Sequence, residues 1–514
     1  MMMMNFGSVF LLTMLMGGVT DLLDVLPADE FWRIKNVQVT EQAMLSELAP
    51  AAAAGDISGL IDELGAADAD AREAAAAKVR AMGLGVVPQL NKATENDNPE
   101  IAARARRLIT ELQNSGKAQQ VRRLMAIRTA GEKKMKGLLP QLKELTASEE
   151  MFVRDYALGA IAVMEGKPHV RQLTAQADAV WKMPPDVRAV LHMSVASGSK
   201  VATMADLANV PNIGGPPQDE QQKKKAIDEL LRKIIEIADQ TGNIRIEGAT
   251  LGVAGDIGDK RGYVVVMIDG QFDRAAVADL LGKQGAGKTR AVGGIDVIDL
   301  AKEFSVMFPS DRQAVLVGGP ADAEKPLEAL ANAFKGNQTP LKQSPEMVKL
   351  LEKIDLKQPM WGAMHVTPAY KQLPVFGSLD SLTLSGTMKQ NLLSFRFDAT
   401  GQNEASVREA VAMVSQGVAQ MKAMMQQANQ EPPQAGMKPM LDSMLKLANS
   451  LKVQADPADG TKATLTGEFD APPQMLLGAL FGGFASAGHA EPQVQEFVAP
   501  NVEVQPDLPP LPPQ

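Results

Sequence analysis

The sequence predicts a multidomain protein in which an all-α segment of helical repeats precedes an α+β module with a duplicated ββα unit. Three observations support this fold class. Two helix-turn-helix stretches match at an offset of 52 residues, the hydrophobic pattern changes near Met183, and a strand-strand-helix order recurs at offsets near 130. At 514 residues, the chain has room for about two to four domains.

Composition excludes several functional classes. Hydrophobic residues make up 45% of the chain but aromatic residues only 4%, which favours helices that pack through small and flexible side chains. The formal net charge of -9 argues against a protein that coats nucleic acid through its overall field. The sequence contains no cysteine, so disulfides, thiolate zinc sites, iron–sulfur clusters and a cysteine nucleophile are excluded. No cofactor is expected.

An apolar stretch over residues 1–20 has the length of a signal or a membrane anchor. This interpretation places the protein outside the cytoplasm or in the cell envelope, with this segment as the point of membrane attachment. Against it, no basic residue precedes Arg33 and no clear A-x-A cleavage site follows, so a buried N-terminus in a cytoplasmic protein is the alternative. Residues 21–55 are interpreted as a linker.

Residues 56–165 are almost all helical in pattern, and we place the domain of helical repeats at residues 56–180. The run "DADAREAAAAKVRAMG" offers Asp68 or Asp70 as an N-cap, continues through strong helix formers and stops at Gly83. Residue types at both ends therefore predict where this helix begins and ends.

A repeat lies within this helical segment. "GVVPQLNKAT" (85–94) and "GLLPQLKELT" (137–146) share five positions, and a helix with apolar residues four apart follows each of them. The stretch "LIDELGAADADAREAAAAKVRAMG", followed by "NPEIAARARRLITEL", resembles HEAT repeats. The resemblance covers about a fifth of the chain and implies stacked helix pairs that present a surface to another macromolecule.

A basic run lies in the same segment. Between Arg104 and Lys136 the chain has ten Lys or Arg residues and only two acidic residues. One interpretation is a strip that binds nucleic acid or anionic lipid, and the other is a solvated helix face. We favour the solvated face because no aromatic side chains interleave to stack on bases. Nucleic acid is therefore not an expected partner.

Residues 183–340 and 341–470 are interpreted as two related α+β lobes. In the first lobe, two β-rich runs are followed by a helix, and "LTLSGTM", "LLSFRFDATG" and a helix from Ala405 repeat this order in the second. Each copy also has an apolar run upstream, "AVLHMSV" and "MWGAMHV". The arrangement resembles a class of bacterial secreted or surface proteins built from two such lobes, some of which also carry helical repeats.

The stretch "GKQGAGKT" (282–289) matches the phosphate-binding pattern G-x-x-x-x-G-K-[ST] at Gly282, Gly287, Lys288 and Thr289. In a working P-loop, a strand precedes the pattern and a helix follows it, so that backbone amides and the helix N-terminus face the phosphates. Here a predicted helix precedes the pattern and a predicted strand follows it. We therefore interpret the match as chance and the glycines as a helix-to-strand linker.

Other candidate residues come in pairs or stripes. His192 and His365 lie in corresponding predicted strands, where packing is favoured over a shared ligand site. Asp269 and Asp398 end corresponding strands, where we expect a structural role near the next helix against a shared metal or catalytic site. The apolar stripe over 407–425 predicts contact with the lobe's own sheet, or else a coiled coil or a Met-rich groove. No catalytic and no metal-ligating residue is assigned.

Residues 471–514 contain the short apolar run "MLLGALFGGF" and a Pro-rich acidic tail, which should be extended and act as a spacer or a polyproline ligand. The whole pattern predicts a non-enzymatic, extracytoplasmic or surface-associated scaffold that binds an unidentified protein partner through the repeats and the two-lobed module. A binder of a small or lipidic ligand between the lobes is the alternative. A P-loop enzyme is a distant third.

Overall fold

The computed structural model describes most of the chain between Asp21 and Asp470. The described ranges are 21–48, 56–167, 177–194, 220–255, 262–283, 289–301, 304–319, 324–372, 376–389, 392–430 and 438–470. Residues 1–20 and 471–514, for which the sequence predicts a signal or anchor and a Pro-rich tail, lie outside the described residues.

Within these ranges the chain forms fourteen α-helices and one antiparallel sheet of twelve strands, so the fold is an α+β mixture. The helices are α1 (Ala28–Ile34), α2 (Glu41–Leu48), α3 (Ser58–Glu63), α4 (Ala69–Met82), α5 (Val87–Ala93), α6 (Pro99–Glu132), α7 (Leu139–Leu145), α8 (Met151–Met164), α9 (Glu220–Thr241), α10 (Arg274–Lys283), α11 (Glu324–Lys335), α12 (Pro345–Leu351), α13 (Glu404–Gln430) and α14 (Lys438–Ser450). The strands are β1 (Val187–Ser194), β2 (Arg245–Ala254), β3 (Tyr263–Gln271), β4 (Thr289–Val292), β5 (Ile295–Ala301), β6 (Phe304–Ser310), β7 (Gln313–Gly318), β8 (Met360–His365), β9 (Leu379–Lys389), β10 (Leu392–Gly401), β11 (Lys452–Ala455) and β12 (Lys462–Asp470). Among the described residues, no helix combines enough length with enough apolar character to span a membrane.

The predicted aspartate cap of the Ala-rich helix is confirmed at Asp68. Its carboxylate accepts the backbone N–H of Asp70 at 3.4 Å and that of Ala71 at 3.2 Å, which satisfies two amides that α4 leaves unpaired. Gly83 follows the helix with a φ of 70°, a left-handed conformation that glycine adopts without steric cost. Local residue types therefore set both ends of α4.

The 52-residue match corresponds to repeated local structure. α5 and α7 each follow a 3₁₀ turn, each carries a proline in its first turn, and each precedes a further helix, α6 or α8. However, α6 runs without a break over 34 residues, so the helices are not separated into the short pairs of a HEAT solenoid. The structure shows a helical region here, and HEAT stacking is not established.

Helix α6 connects two hydrophobic cores. The first core lies between α3, α4, α5 and the N-terminal part of α6, and it contains Ile57, Leu64, Ala75, Val79, Val86, Leu90, Ile101, Ala105, Leu108 and Leu112. From Val121 onward, α6 contributes to a second core that it shares with α8, α9 and the sheet. We call residues 56–112 the distal module and the other described residues the body. The predicted domain boundary at residue 180 therefore does not coincide with the boundary between the cores.

Residues 21–48, which the sequence predicts as part of a linker, instead form α1, α2 and a 3₁₀ turn within the body core. Leu22, Phe31 and Trp32 are completely buried. The indole Nε1 of Trp32 donates to Oγ1 of Thr129 on α6 at 2.8 Å. The linker interpretation fails because these scattered apolar residues find partners on distant elements, and their burial stabilises the segment.

A buried ion pair fixes the start of this segment. Arg245 of β2 is 1% exposed, its Nε donates to Oδ1 of Asp21 at 2.7 Å, and its Nη1 donates to Oδ2 of Asp155 on α8 at 2.5 Å. The ring centroid of Phe152 lies 4.9 Å from the guanidinium carbon. Because a buried guanidinium without a carboxylate is strongly destabilising, these contacts hold the N-terminal segment, α8 and the sheet together.

The strands form one continuous sheet in the order β11-β12-β10-β9-β8-β1-β2-β3-β7-β6-β5-β4. β1 to β7 come from the first predicted lobe and β8 to β12 from the second, and the strand-strand-helix order occurs in both (β2-β3-α10 and β9-β10-α13). The halves join where β1 pairs with β8, from Ala189 opposite Met364 to Met193 opposite Met360. We call this pairing the seam. The two predicted lobes thus share a sheet and are not separated by a cleft at the seam.

Both faces of the first half-sheet are buried. Ile268 and Leu316 lie on the face that packs on the body core with α9 and α10. Met267 and Val315 lie on the opposite face, where residues of α11 and α12 cover them. This two-sided burial explains why the strands of this half read as continuous apolar runs rather than as an alternation.

Candidate functional site

His192 lies at the seam between the two half-sheets. Its ring stacks on Trp361 of β8, with centroids 4.9 Å apart and planes inclined by 15°. Its Nδ1 lies 2.8 Å from Oγ1 of Thr250, within hydrogen-bond distance. Burial lowers the pKa of His192 to about 4, so the imidazole is neutral near neutral pH. These are the contacts of a packed histidine.

His365 does not join His192 in one site. His192 lies opposite Trp361 in the seam, and His365 is four residues further along β8, roughly 13 Å away at the rise of a β-strand. Metal sites in proteins gather several donor side chains around one ion. In the part of the chain that the structure describes, no group of three His, Asp or Glu residues is placed to hold a metal ion.

Asp269 is the most unusual carboxylate of the first half-sheet. It is 3% exposed, and Gln313 of β7 donates its Nε2 to Oδ1 of Asp269 at 3.0 Å. Oδ2 has no hydrogen-bond partner among the described residues. The pKa of Asp269 is raised to about 6, mainly because burial disfavours the charged form. The Gln313 bond and the charge of Arg312 lower this pKa, and the nearby charge of Glu247 raises it.

Asp398 has a different environment from Asp269. Its side chain is 43% exposed, and it accepts bonds from Arg396 at 2.7 Å and from Thr464 at 3.0 Å. β3 and β10 are five strand positions apart in the sheet, which separates the two carboxylates by roughly 24 Å. The structure therefore does not bring the predicted aspartate pair together, and their environments are not equivalent.

The P-loop match spans the end of α10 and the start of β4. Gly282 lies in the last turn of the helix and Thr289 is the first residue of the strand. Gly287 and Lys288 lie outside the described residues. The helix-to-strand order is the one that the sequence predicts, and it is the reverse of the order in which a P-loop presents a helix N-terminus to phosphate.

Most basic side chains in the run from Arg104 to Lys136 are paired within the chain. Seven of the ten form ion pairs, which are Arg104–Glu100, Arg107–Glu111, Lys117–Asp273, Arg122–Glu47, Arg123–Glu150, Arg128–Glu132 and Lys133–Asp29. Arg106 donates to the carbonyl oxygen of Thr94 at 3.1 Å. Because these carboxylates already balance the charge of the run, little positive potential is left for a polyanion.

The apolar stripe of α13 is most deeply buried near the start of the helix. Val407 is completely buried, and it lies so near Gly401 of β10 that a Cβ there would be 2.7 Å from its Cγ2. Val418 and Met421 are half-buried, and Met424 is 59% exposed. α13 thus contacts strands of its own half-sheet, as predicted, and it also packs against α14, while Met424 is exposed.

A shallow groove runs between α1, α6 and α9. It encloses about 420 Å³ and is lined by Ile34, Ala118, Arg232, Ile235, Glu236, Asp239 and Gln240. Its lining combines three aliphatic side chains with four charged or amide groups, and none of these residues belongs to β1 or β8, the strands of the seam where a ligand between the lobes is expected. The groove is open, whereas small-molecule sites enclose most of their ligand.

The distal module presents the most separable surface in the described chain. α3, α4 and α5 make their main contacts with one another, with the 3₁₀ turn before α5 and with α6. On α4, Ala74, Ala77 and Ala81 are exposed on the side opposite the core residue Val79. Small side chains at helical spacing allow the backbone of another helix to approach closely.

Comparisons with known proteins identify no family. No protein-family model and no curated protein matches the chain. Six chains of solved structures match it, and they include crystal forms III and I of the protein TP0453. Form III is 11% identical with a TM-score of 0.31 over 59% of this chain and 97% of TP0453. Form I is 12% identical with a TM-score of 0.30 over 60% and 98%. Scores this low define no shared fold and carry no statement about function.

Proposed function

We propose that this protein is a non-enzymatic scaffold that binds a protein partner through the distal module, with the body as the rigid support. The observation that carries the proposal is the position of two separate cores along one helix, α6. A helix of 34 residues is about 50 Å long. It therefore holds the module away from the sheet while the body fixes the other end.

The body end of α6 is held by charged and aromatic contacts. Lys117 pairs with Asp273 at 3.0 Å, and Thr129 accepts the indole proton of Trp32 at 2.8 Å. On the module side, Glu111 of α6 accepts bonds from Arg80 of α4 at 2.8 Å. With both ends anchored, the module is presented in a defined orientation, which reduces the entropy that a partner must remove on binding.

The chemistry of the surface favours a protein partner over nucleic acid. The exposed side of α4 combines Ala74, Ala77 and Ala81 with charges of both signs, such as Glu73 and Lys78. Basic patches that bind nucleic acid have an excess of unpaired Lys and Arg, whereas here ion pairs compensate most of the basic run. HEAT-like stacking of α5 with α6 and of α7 with α8 belongs to this proposal, because helix pairs of that kind bind macromolecules along their outer surface.

The location of the protein outside the cytoplasm or in the cell envelope is the second part of the proposal, and it rests on the apolar stretch 1–20. Mass spectrometry of the protein purified from its native cells identifies the mature N-terminus. A mature chain that starts near Asp21, or an intact stretch in the membrane fraction, supports this location. An intact stretch in the soluble cytoplasmic fraction contradicts it.

Site-specific photo-crosslinking in native cells tests the interaction surface. A photoreactive residue replaces Ala77 in the distal module, and a matched control replaces Gln454, an exposed residue of the edge strand β11. We expect a discrete adduct of fixed mass from the Ala77 position only. Equal adducts from the Ala77 and Gln454 positions would contradict a partner site on the distal module. The absence of adducts from Ala77 and from further positions along α4 would also contradict it.

A further inference from the structure

In the described chain, helix α6 is the element that connects the distal module to the body. α3, α4 and α5 make their main contacts with one another, with the 3₁₀ turn before α5 and with α6. Leu112 is the last residue of α6 in the core of the module, and Val121 is its first residue in the core of the body. We call residues 113–120, which span about 12 Å of helix, the neck. A bend within the neck moves the whole module.

The neck begins with residues that favour bending of α6. Its first four residues, "QNSG" (113–116), end in a Ser-Gly pair, and sharp kinks in helices concentrate at such pairs. The hydroxyl of Ser115 donates to the carbonyl oxygen of Leu112 at 3.1 Å. A serine bond back to the preceding turn weakens the hydrogen-bond ladder and often bends a helix. The ladder of α6 is therefore weakened between the two cores.

The neck also has open space on one side. The groove of about 420 Å³ is lined by Ala118 of the neck, by Ile34 of α1 and by five residues of α9. The methyl group of Ala118 fills little of this space. Helix α6 therefore has room to bend toward the groove.

An ion pair ties the neck to the body directly after the Ser-Gly pair. Nζ of Lys117 lies 3.0 Å from Oδ2 of Asp273. Asp273 is fixed on the body, because its Oδ1 accepts the backbone N–H of Ala276 in the first turn of α10, and Val277 of α10 belongs to the body core. The side chain of Asp273 is 43% exposed, so water and salt weaken the pair and allow it to open.

We propose that residues 113–116 form a hinge about which the distal module swings as a unit, and that the Lys117–Asp273 pair is the latch of this hinge. A closed latch gives the module the single orientation of the structure, and an open latch gives it several. The consequence for partner binding rests on the proposed function, because it concerns how the module is presented. The hinge and the latch are properties of the chain alone, so their test needs no partner and is independent of the photo-crosslinking experiment.

Distances between pairs of spin labels measure this motion in the full chain, which contains no cysteine of its own. Labels are attached at Lys78→Cys in α4 and at Glu229→Cys in α9, both exposed positions. A second pair within the body, Glu229→Cys with Glu328→Cys, serves as the reference. We expect a main and a minor distance for the module pair, and one narrow distance for the reference pair.

Three variants separate the latch from the hinge. Lys117→Gln removes the latch, and Lys133→Gln is the matched control because it breaks another partly exposed ion pair of α6, with Asp29. We expect Lys117→Gln to raise the ratio of the minor to the main distance roughly two- to fivefold, as for the loss of an exposed ion pair. Added salt should raise the ratio in the wild type as well. Ser115→Ala removes the bond to the preceding turn and favours helix, so it should lower the ratio.

Several results would overturn the proposal. One narrow distance for the module pair in both the wild type and Lys117→Gln would show that α6 is rigid at the neck. Equal changes in Lys117→Gln and Lys133→Gln would show that the Lys117 pair is not the latch. An unchanged ratio in Ser115→Ala would place the bend outside residues 113–116. A broad distribution for the reference pair would place the motion within the body.

Discussion

Asp269 is buried in surroundings that disfavour its negative charge. Gln313 satisfies one carboxylate oxygen, the other has no hydrogen-bond partner in the described chain, and Glu247 adds a like charge. A carboxylate in such a place prefers the protonated form. The sequence predicts a structural role for Asp269, and the structure adds that its ionised form is a source of instability.

Substitution Asp269→Asn should therefore stabilise the protein near neutral pH. The folded-state pKa of Asp269 is about 6, above the ordinary value for aspartate, so the folded state binds the proton more tightly than the unfolded state. The contribution of Asp269 to the free energy of unfolding is therefore fully present below about pH 4 and is lost as the pH rises through about 6. The loss amounts to up to ~3 kcal/mol. We expect a higher melting temperature for the variant at about pH 7.5 and a difference about a third as large at about pH 4.5.

His192 has the opposite dependence and must be separated from Asp269. Its folded-state pKa is lowered to about 4, so its contribution is present above its ordinary pKa and is lost as the pH falls toward 4. Because His192 is the same in wild type and in Asp269→Asn, the difference between the two melting curves isolates Asp269. Parallel curves across the pH range would contradict the assigned burial effect.

Lys288 is the residue on which a nucleotide-binding function would depend. The helix-to-strand order of α10 and β4 gives the P-loop pattern no helix N-terminus to face phosphate. We expect no ATP or GTP binding by calorimetry for the wild type, and unchanged stability for Lys288→Ala. Micromolar binding that this substitution abolishes would restore the nucleotide hypothesis.

At the scale of single elements, local signals predict the helices of the distal module well. The Asp68 cap, the proline at the start of α5 and the glycine after α4 act through backbone geometry within one turn, so they require no knowledge of the fold. The continuous helix α6 is less predictable. "QNSG" in its middle contains weak helix formers, and the contacts at both ends of α6 decide that the helix continues.

The cap gives a test at this scale. Asp68→Ala removes the acceptor for two first-turn amides of α4, and we expect a loss of ~1 kcal/mol from the stability of the distal module. Asp70→Ala is the matched control, since Asp70 lies in the first turn and does not accept these amides. Hydrogen exchange in α4 reports the local change. A larger loss from Asp70→Ala would mean that helix-dipole interaction outweighs the cap.

At the scale of the whole molecule, the N-terminal segment, the C-terminal part of α6, α8, α9 and the sheet share one core. Asp21 and Arg245 are 224 residues apart in sequence, yet they form a fully buried pair. No local pattern marks either residue as important. Arg245 is the side chain that sequence reasoning missed, and its only sequence signal is a basic residue at the start of an apolar strand.

Substitution Asp21→Asn should destabilise the body strongly. It removes the charge of one of the two carboxylates that pair with the buried Arg245 guanidinium, and breaking a buried pair in this way typically costs ~3–5 kcal/mol. Asp398→Asn is the matched control, because it breaks an exposed Arg–Asp pair that is worth ~0–1 kcal/mol. Thermal unfolding measures both. Similar shifts for the two variants would show that the Arg245 network does not hold the body together.

Several features were available from the sequence alone because they depend on neighbours along the chain. These are the caps, the repeated helix signals, the strand-strand-helix order and the change from helical to mixed structure near Met183. Hydrophobic periodicity and turn residues determine such features within a few residues. The function of the protein is not among them, and it remains a proposal.

Tertiary structure alone decided how these elements combine. The pairing of β1 with β8 turns two predicted lobes into one sheet, and the burial of Leu22 and Trp32 turns a predicted linker into core. It also places Asp269 and Asp398, which look alike in sequence, in a buried and an exposed site. The physical reason is that burial and strand pairing are set by residues hundreds of positions away, whose contacts outweigh local preference.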